Sequence, residues 1–574
     1  MISRKILSYL LFFVLLIFIN ILSNIFNFNI DLTNDKKHSL SKRSIELISN
    51  LDDIIFIKVY LDGEFPAEFK QLKSELKNLL IRFKSIGLDN FEFEFINPNK
   101  SHLDEENNAI FRDLVNNGLY PTDIELRSSS SRSSQIIFPG ALVYYKNNKV
   151  AVNFLKNSVN KKAGENINNS IENLEFEFIS AIHQLTNKNI YKIAFLTGNG
   201  ELIFNEVYDL INSVLKDNNN LDFYYKVDRF NIKEFKIDSA TLQANISDQI
   251  IKLSKYKLLI VAKPTISFNM LEKFIIDQYV MNGGKILWLI DGVNCSMDSL
   301  QNQKSFIATK NELNIDDQLF KYGVRVNANL IEDLRSTNIP IITGYSNNVP
   351  QQSFFPWPYY PLLKSTTDHP IVNGLDAIKC NFVSSIDTIN NAIKKTVLLA
   401  SSKQSRYIPV PAKISLGILE NPPPVETFNK AYLPIAVLLE GEFESVFTNR
   451  ILPKQKSIDF KTKSKPTKMI VVSDGDIARN SISKDNNIYP LGYDKYSRYT
   501  YSGNKIFLMN AVHYLCDNTY LAKLKSKKIT LRLLDREKIL KYEFLIQIIN
   551  IIIPLFFILS FTLIFLRIKK HKYE

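Results

Sequence analysis

Along most of this chain apolar and polar residues interleave at the short periods of globular secondary structure, and the pattern breaks at the two ends. Residues 6–26 and 545–566 are near-continuous apolar runs, and a membrane-spanning helix needs about 20 such residues. Between them, the β-branched and apolar stretch 53–60 predicts a strand. Pro66 can open a helix, and Phe69, Leu72, Leu76, Leu79, Leu80 and Phe83 then recur at helical spacing. Phe91, Phe93 and Phe95 alternate with Glu92 and Glu94, which describes a strand with one buried face. A second helix over 103–117 and short strands at 136–138, 141–145 and 150–154 follow. This order predicts a thioredoxin-like layer. Where its redox motif would sit the chain reads Asp62-Gly-Glu-Phe-Pro66, without cysteine.

The polar run 156–169 reads as a linker, and the patch 128–134, serine apart from Arg132, as a mobile hairpin tip. An amphipathic helix over 171–185 connects to a second pattern. There a strand at 191–196 runs into Thr197-Gly-Asn-Gly-Glu201 and a helix over 202–215. A strand at 257–262 ending at Pro264, a helix over 269–281 stopped by Gly283-Gly284, and a strand at 285–290 come next. Strands joined by crossover helices make a parallel sheet with helices on its faces. Ligands of such sheets lie beyond the strand C-termini, so chemistry is to be sought at 197–201, 264–267 and 291–294.

Charge and composition refine the picture. Arg4 and Lys5 precede the first apolar run, and Arg567, Lys569, Lys570 and Lys572 follow the second. Basic flanks stay cytoplasmic, so both termini are expected there, with the middle across the membrane. The first run is longer than the roughly 7–15-residue core of a signal peptide and lacks an Ala-x-Ala-like site, so it is expected to be a retained anchor. Of the net charge of +13, the flanks supply five, and no block of five like charges appears. A solvated basic surface is expected, not a nucleic-acid partner. Cys295, Cys380 and Cys516 are the only cysteines; they form no disulfide framework, Cys-x-x-Cys pair or zinc pattern.

The Thr-Gly-x-Gly-Glu turn, the helix ending in Gly-Gly and Tyr322-Gly-Val-x-Val resemble the GldG family of gliding-motility-associated ABC-transporter auxiliary proteins of Bacteroidetes. So do Phe355-Pro-Trp-Pro-Tyr-Tyr-Pro361, Leu438-Leu-Glu-Gly-Glu-Phe443, Val471-Val-Ser-Asp-Gly-Asp476 and the stretch from Asn504 to Leu515. Asn199 departs from the histidine expected in many relatives. The resemblance covers essentially the whole chain. It implies an inner-membrane protein with a periplasmic bulk, an ABC ATPase and a multi-span permease as partners, and an amidotransferase/flavodoxin-like second domain. It implies no cofactor and leaves the cargo open.

Candidate contacts follow from position. Gly198, Gly200 and Glu201 form a strand-to-helix turn that either offers amides to an anion or is simply tight; the third glycine of a dinucleotide fingerprint is absent. Asp291 ends a parallel strand. Asp474 and Asp476 either hold a divalent cation or cap the next turn. Trp357, Tyr359 and Tyr360 either stack on a ligand or pack into their own domain. No nucleophile lies in a Gly-x-Cys-x-Gly setting, and none of the six histidines sits in a base motif. The expected organisation is an α/β protein: anchor 1–28, first periplasmic domain 29–160, connecting helix 161–189, second domain 190–525, juxtamembrane connector 526–544, membrane helix 545–567 and basic tail 568–574. The expected role is a non-enzymatic auxiliary subunit; a tethered receptor or an amidotransferase-like hydrolase are the alternatives.

Overall fold

A computed structural model of the chain describes residues 39–99, 104–127, 132–155, 163–186, 191–215, 225–235, 245–300, 303–346, 349–365, 367–452, 459–517 and 536–573. The expected anchor 1–28 lies outside the described residues, as do the centre of the serine patch, 156–162 of the linker and 526–535 of the connector. The described residues fall into two compact units, one between Leu40 and Lys527 and one carrying the C-terminal helix.

The N-terminal part of the larger unit contains α1 (Lys42–Ser49), β1 (Ile55–Val59), α2 (Ala67–Gly87), β2 (Phe91–Phe95), α3 (Asp104–Asn116), β3 (Thr122–Arg127), β4 (Arg132–Ile137), β5 (Gly140–Tyr145), β6 (Asn148–Asn153) and α4 (Ala163–Thr186). Four strands make a sheet in the order β2-β1-β5-β6, with β1 parallel to β2 and antiparallel to β5. Leu72, Leu76, Leu79, Leu80 and Phe83 of α2 meet Leu174, Phe178, Ile179 and Ile182 of α4 over one face. Leu114 of α3 joins Phe138, Leu142 and Ala151 over the other. Helix α4 starts earlier than the polarity of 163–169 predicts, because its core face does not begin until Ile167.

The second sheet is built on β7 (Tyr191–Thr197), β8 (Tyr225–Asn231), β9 (Leu258–Ala262), β10 (Lys285–Leu289), β11 (Ser336–Ser346), β12 (Val349–Ser365), β13 (Lys394–Ala400), β14 (Pro434–Gly441) and β15 (Thr467–Val472). Their order is β11-β12-β13-β14-β15-β10-β9-β7-β8, with a short strand at Ile378–Lys379 paired to β12. From β8 to β15 the neighbours are parallel, and from β15 to β11 they are antiparallel. The parallel strands read as unbroken apolar runs because both faces are covered. Helices α5 (Ile246–Leu253), α6 (Met270–Met281), α7 (Asp316–Tyr322) and α8 (Ser502–Leu515) complete the unit. Ala194, Val261, Trp288 and Val471 meet α6 on one face, while Phe195, Ile260, Leu287 and Ile470 meet α8 on the other.

Two expectations change. The expected helix over 202–215 is a 3₁₀ turn at Phe204–Val207 and a π turn at Leu210–Leu215. The aromatic-proline segment is not a loop but the inner end of the 17-residue strand β12. In the smaller unit, α9 (Arg536–Tyr573) is interrupted at Tyr542 and contains Pro554. Its residues Tyr542–Lys569, with mean hydropathy 2.6, are long and apolar enough to cross a membrane.

Candidate functional site

The C-terminal ends of β9, β10 and β15 bring together groups that the sequence separates by about two hundred positions. Lys263 follows β9 in the left-handed region, at φ 53°, with its N–H on Leu289 O at 2.8 Å. Its ammonium lies 3.1 Å from Asp291 and 2.6 Å from Asp476. Gly475 makes this approach possible: a Cβ there would fall 2.7 Å from the Lys263 stem. Gly475 also donates its N–H to Asp291 Oδ1 at 2.5 Å. Burial works against the Lys263 charge, but the two carboxylates outweigh it and hold the ammonium well above its ordinary range.

Asp474 lies deeper and is fully buried. Its carboxylate accepts the N–H of Asn381 at 3.0 Å and of Asp476 at 2.8 Å. Burial first, then the charges of Asp476 and Asp291, push its pKa up to about 8. Burial likewise raises Asp291. Asp474, by accepting the Asp476 N–H, closes a turn just before the 3₁₀ segment Asp476–Ala478. Among the described residues no group of three or more His, Cys, Asp or Glu side chains is arranged to hold a metal ion.

Beside Asp476 opens a polar cavity of about 290 Å³. Arg479 spans its wall, 2.7 Å from Glu206 and 3.6 Å from Asp476. Lys379 reaches in over the Tyr360 ring at 5.2 Å and is anchored 2.8 Å from the buried Asp494. Asn381, Lys495 and Tyr496 complete the polar lining. The arrangement offers donors, acceptors and ring edges to a small polar group, with Arg479 and Lys379 each held by a carboxylate.

The remaining expected contacts lie elsewhere. Gly198 and Gly200 have φ of 123° and 74°, and a Cβ on Gly200 would come 2.1 Å from Thr265 Oγ1. The turn they make is closed by its own chain. Asn199 O accepts from Thr265 N at 2.9 Å and Ile266 N at 2.8 Å, and Asn199 N donates to Glu201 at 2.7 Å. Thus the crevice between β7 and β9, where the connections of the sheet diverge, is filled. Trp357 and Tyr359 are 0% and 3% exposed and pack against each other at 5.2 Å, with Tyr359 stacked on Phe382. Of Trp357, Tyr359 and Tyr360, it is Tyr360 that lines the cavity, next to Phe382. Sequence reading missed Lys263, Arg479 and Lys379. The available signal was Ala262-Lys263-Pro264, a cation at the end of a buried parallel strand.

Comparison with known proteins places these features in a family. Residues 190–511, more than half of the chain, match the family described as an ABC-type uncharacterized transport system. Residues 34–144 match a domain of unknown function. An uncharacterized protein of Borreliella burgdorferi is 24% identical over 455 residues, which covers 78% of each chain. Among solved structures, the mmIFT52 N-terminal domain aligns at 13% identity over 56% of this chain and 96% of its own, with TM-score 0.30. A ThuA-like protein from Bacteroides uniformis aligns at 12% identity over 57% and 91%, with TM-score 0.27. By the extent of its match over both faces of the large sheet, the chain belongs to the ABC-type uncharacterized transport system family of transporter auxiliary proteins.

Proposed function

We propose that this chain is a non-enzymatic auxiliary subunit of an ABC-type transporter, fixed in the inner membrane and presenting its folded unit in the periplasm to an ATPase–permease pair. The observation that carries this reading is the family match over 190–511 in a chain that also holds a helix able to cross a bilayer. In the finer form of the reading, both termini are cytoplasmic, the first apolar run is a second anchor, and the assembly serves gliding motility and linked secretion in a Bacteroidetes host. That form rests on the motif resemblance from Thr197 to Leu515. The N-terminal sheet, with its β-α-β unit followed by a hairpin and helix, is then a thioredoxin-like layer without redox chemistry.

The chemistry of the candidate nucleophiles supports a non-enzymatic role. Burial pushes the Cys516 thiol up to about 12 and raises Cys295 and Cys380 as well, and a thiol is a poor nucleophile when its pKa lies far above ambient pH. Without an energy source of its own, the unit acts by docking or by passing motion to its partners. The polar cavity beside Asp476 favours one second reading, a tethered receptor for a small polar ligand.

Affinity purification of the full-length protein in mild detergent tests the main reading. Recovery of an ABC ATPase and a permease in fixed ratio is expected. Recovery of the chain alone, from membranes in which other transport complexes survive, would sink it.

A further inference from the structure

The opposite edge of the large sheet has a different chemistry. Lys285, the first residue of β10, lies opposite Leu258, the first of β9, and Ile286 lies opposite Met469 near the start of β15. The N-termini of these parallel strands therefore end along one edge, and lysines cluster there. A cleft of about 590 Å³ at this edge is lined by Lys192, Lys255 and Lys257 together with Tyr191, Tyr256 and Tyr279, and among the described residues no carboxylate lines it. Lys465 stands at the rim, its Cβ 3.9 Å from where a side chain on Gly283 would begin. Lys192, Lys255 and Lys465 make no ion pair with a described residue.

The carboxylates nearby are already used. Asp517 is shared by Lys257 at 3.1 Å, by Lys468 at 3.8 Å and by Lys285. Glu440 lies 3.6 Å from Lys394 and 3.9 Å from Lys468, and Asp228 accepts from the Tyr256 hydroxyl. Among the described residues the edge thus holds more lysines than carboxylates to pair with them. Asp517 is followed by 18 residues carrying Lys523, Lys525, Lys527, Lys528 and Arg532 against Asp535. Helix α9, with its stretch long and apolar enough to cross a membrane, comes next in the chain.

We propose that this lysine-lined cleft is a phosphate-headgroup site, by which the folded unit engages anionic phospholipid of the membrane that anchors it. Ammonium groups of Lys192, Lys255 and Lys257 around a cleft without a carboxylate among its described lining residues suit a phosphodiester, and basic residues beside a span are drawn to an anionic surface. The inference rests on the anchored reading above but not on the transporter partners, so loss of those partners leaves it standing.

The test uses the full-length chain in bilayer discs of phosphatidylcholine alone and of phosphatidylcholine with phosphatidylglycerol, read by hydrogen exchange at 254–257 and 283–285. Protection in the anionic discs and its absence in the zwitterionic ones is expected. Lys192→Glu with Lys255→Glu should erase it: each lysine at such a surface is worth a factor of about five, so two reversals weaken engagement by at least about 25-fold. Unchanged exchange in α2 checks that the variant is folded. Equal exchange in both lipids overturns the proposal. Equal protection by inorganic phosphate in detergent overturns it in favour of a free-anion site, and protection that rises with protein concentration in detergent does so in favour of contact between copies.

Discussion

Asp474 shows how far a side chain's chemistry can depart from what its place in the sequence says. Asp474-Gly475-Asp476 reads either as a cation site or as a cap of the next turn, and burial and two neighbouring carboxylates hold the Asp474 pKa up at about 8. Between its ordinary 3.8 and that value the folded chain keeps a proton that the unfolded chain releases. Stability therefore falls as pH rises through this window, the reverse of the usual carboxylate behaviour. Asp474→Asn has no proton to lose and should flatten the decline of the unfolding midpoint between about pH 5 and pH 8. Thermal unfolding of both proteins across that range decides the matter, and parallel curves would refute the assignment. Lys263 was illegible for a related reason. Its role is set by two acids that follow strands β10 and β15, and no local pattern reports which strand ends become neighbours.

Single elements were read more securely. The strand at 91–95 has the predicted bounds. The helix α6 ends as its Gly-Gly predicts, with Gly283 at φ 90° and its N–H on Val280 O at 2.8 Å. At the other end of α6, Asn269 accepts the N–H groups of Leu271 and Glu272 at 2.9 Å, and Glu272 returns a bond to Asn269 N at 3.0 Å. The same Glu272 accepts the side-chain amide of Asn199 at 2.9 Å, so the cap also pins the Thr197–Glu201 turn. Asn269→Ala should cost about 1 kcal/mol, as the loss of a cap does. Glu272→Ala should cost more, on the order of 2 kcal/mol, because it also strands the buried Asn199 amide. Chemical denaturation that ranks the two variants the other way would show that the turn does not depend on the cap. What failed at this scale has a physical cause. Residues 202–215 satisfy helical spacing, but Leu202 donates its N–H to Ala262 O at 3.0 Å and Asp209 accepts from Leu491 N at 2.7 Å. Those tertiary bonds fit shorter turns better than a continuous helix.

For the whole molecule, the sequence predicts two anchors and the structure describes one apolar helix, Tyr542–Lys569. Deleting 536–574 separates the alternatives. If the run 6–26 is a second anchor, the truncated chain stays in the membrane through an alkaline carbonate wash; release into the supernatant would leave α9 as the sole hold. The antiparallel half of the large sheet, β11 to β14, was not foreseen as sheet at all. Its outer strands β11 and β12 mix proline and polar residues with apolar ones, and β12 alone contains four prolines. Such a composition is tolerated in edge and bulged strands, where ladder bonds are fewer, but gives no period to read.

By itself the sequence determined what depends on near neighbours in the chain: the apolar ends, the α/β class, the parallel strands β7, β9 and β10, and the helix α6 that covers them. Apolar periodicity is local and survives without knowledge of partners. Only the tertiary structure decided which strand ends meet. Lys263 came to stand between Asp291 and Asp476, the Thr197–Glu201 turn was closed by its own chain, and Trp357 and Tyr359 were drawn into the core. Ion pairs and burial depend on groups brought together from distant positions, and their chemistry is fixed by the dielectric and the charges those groups find there.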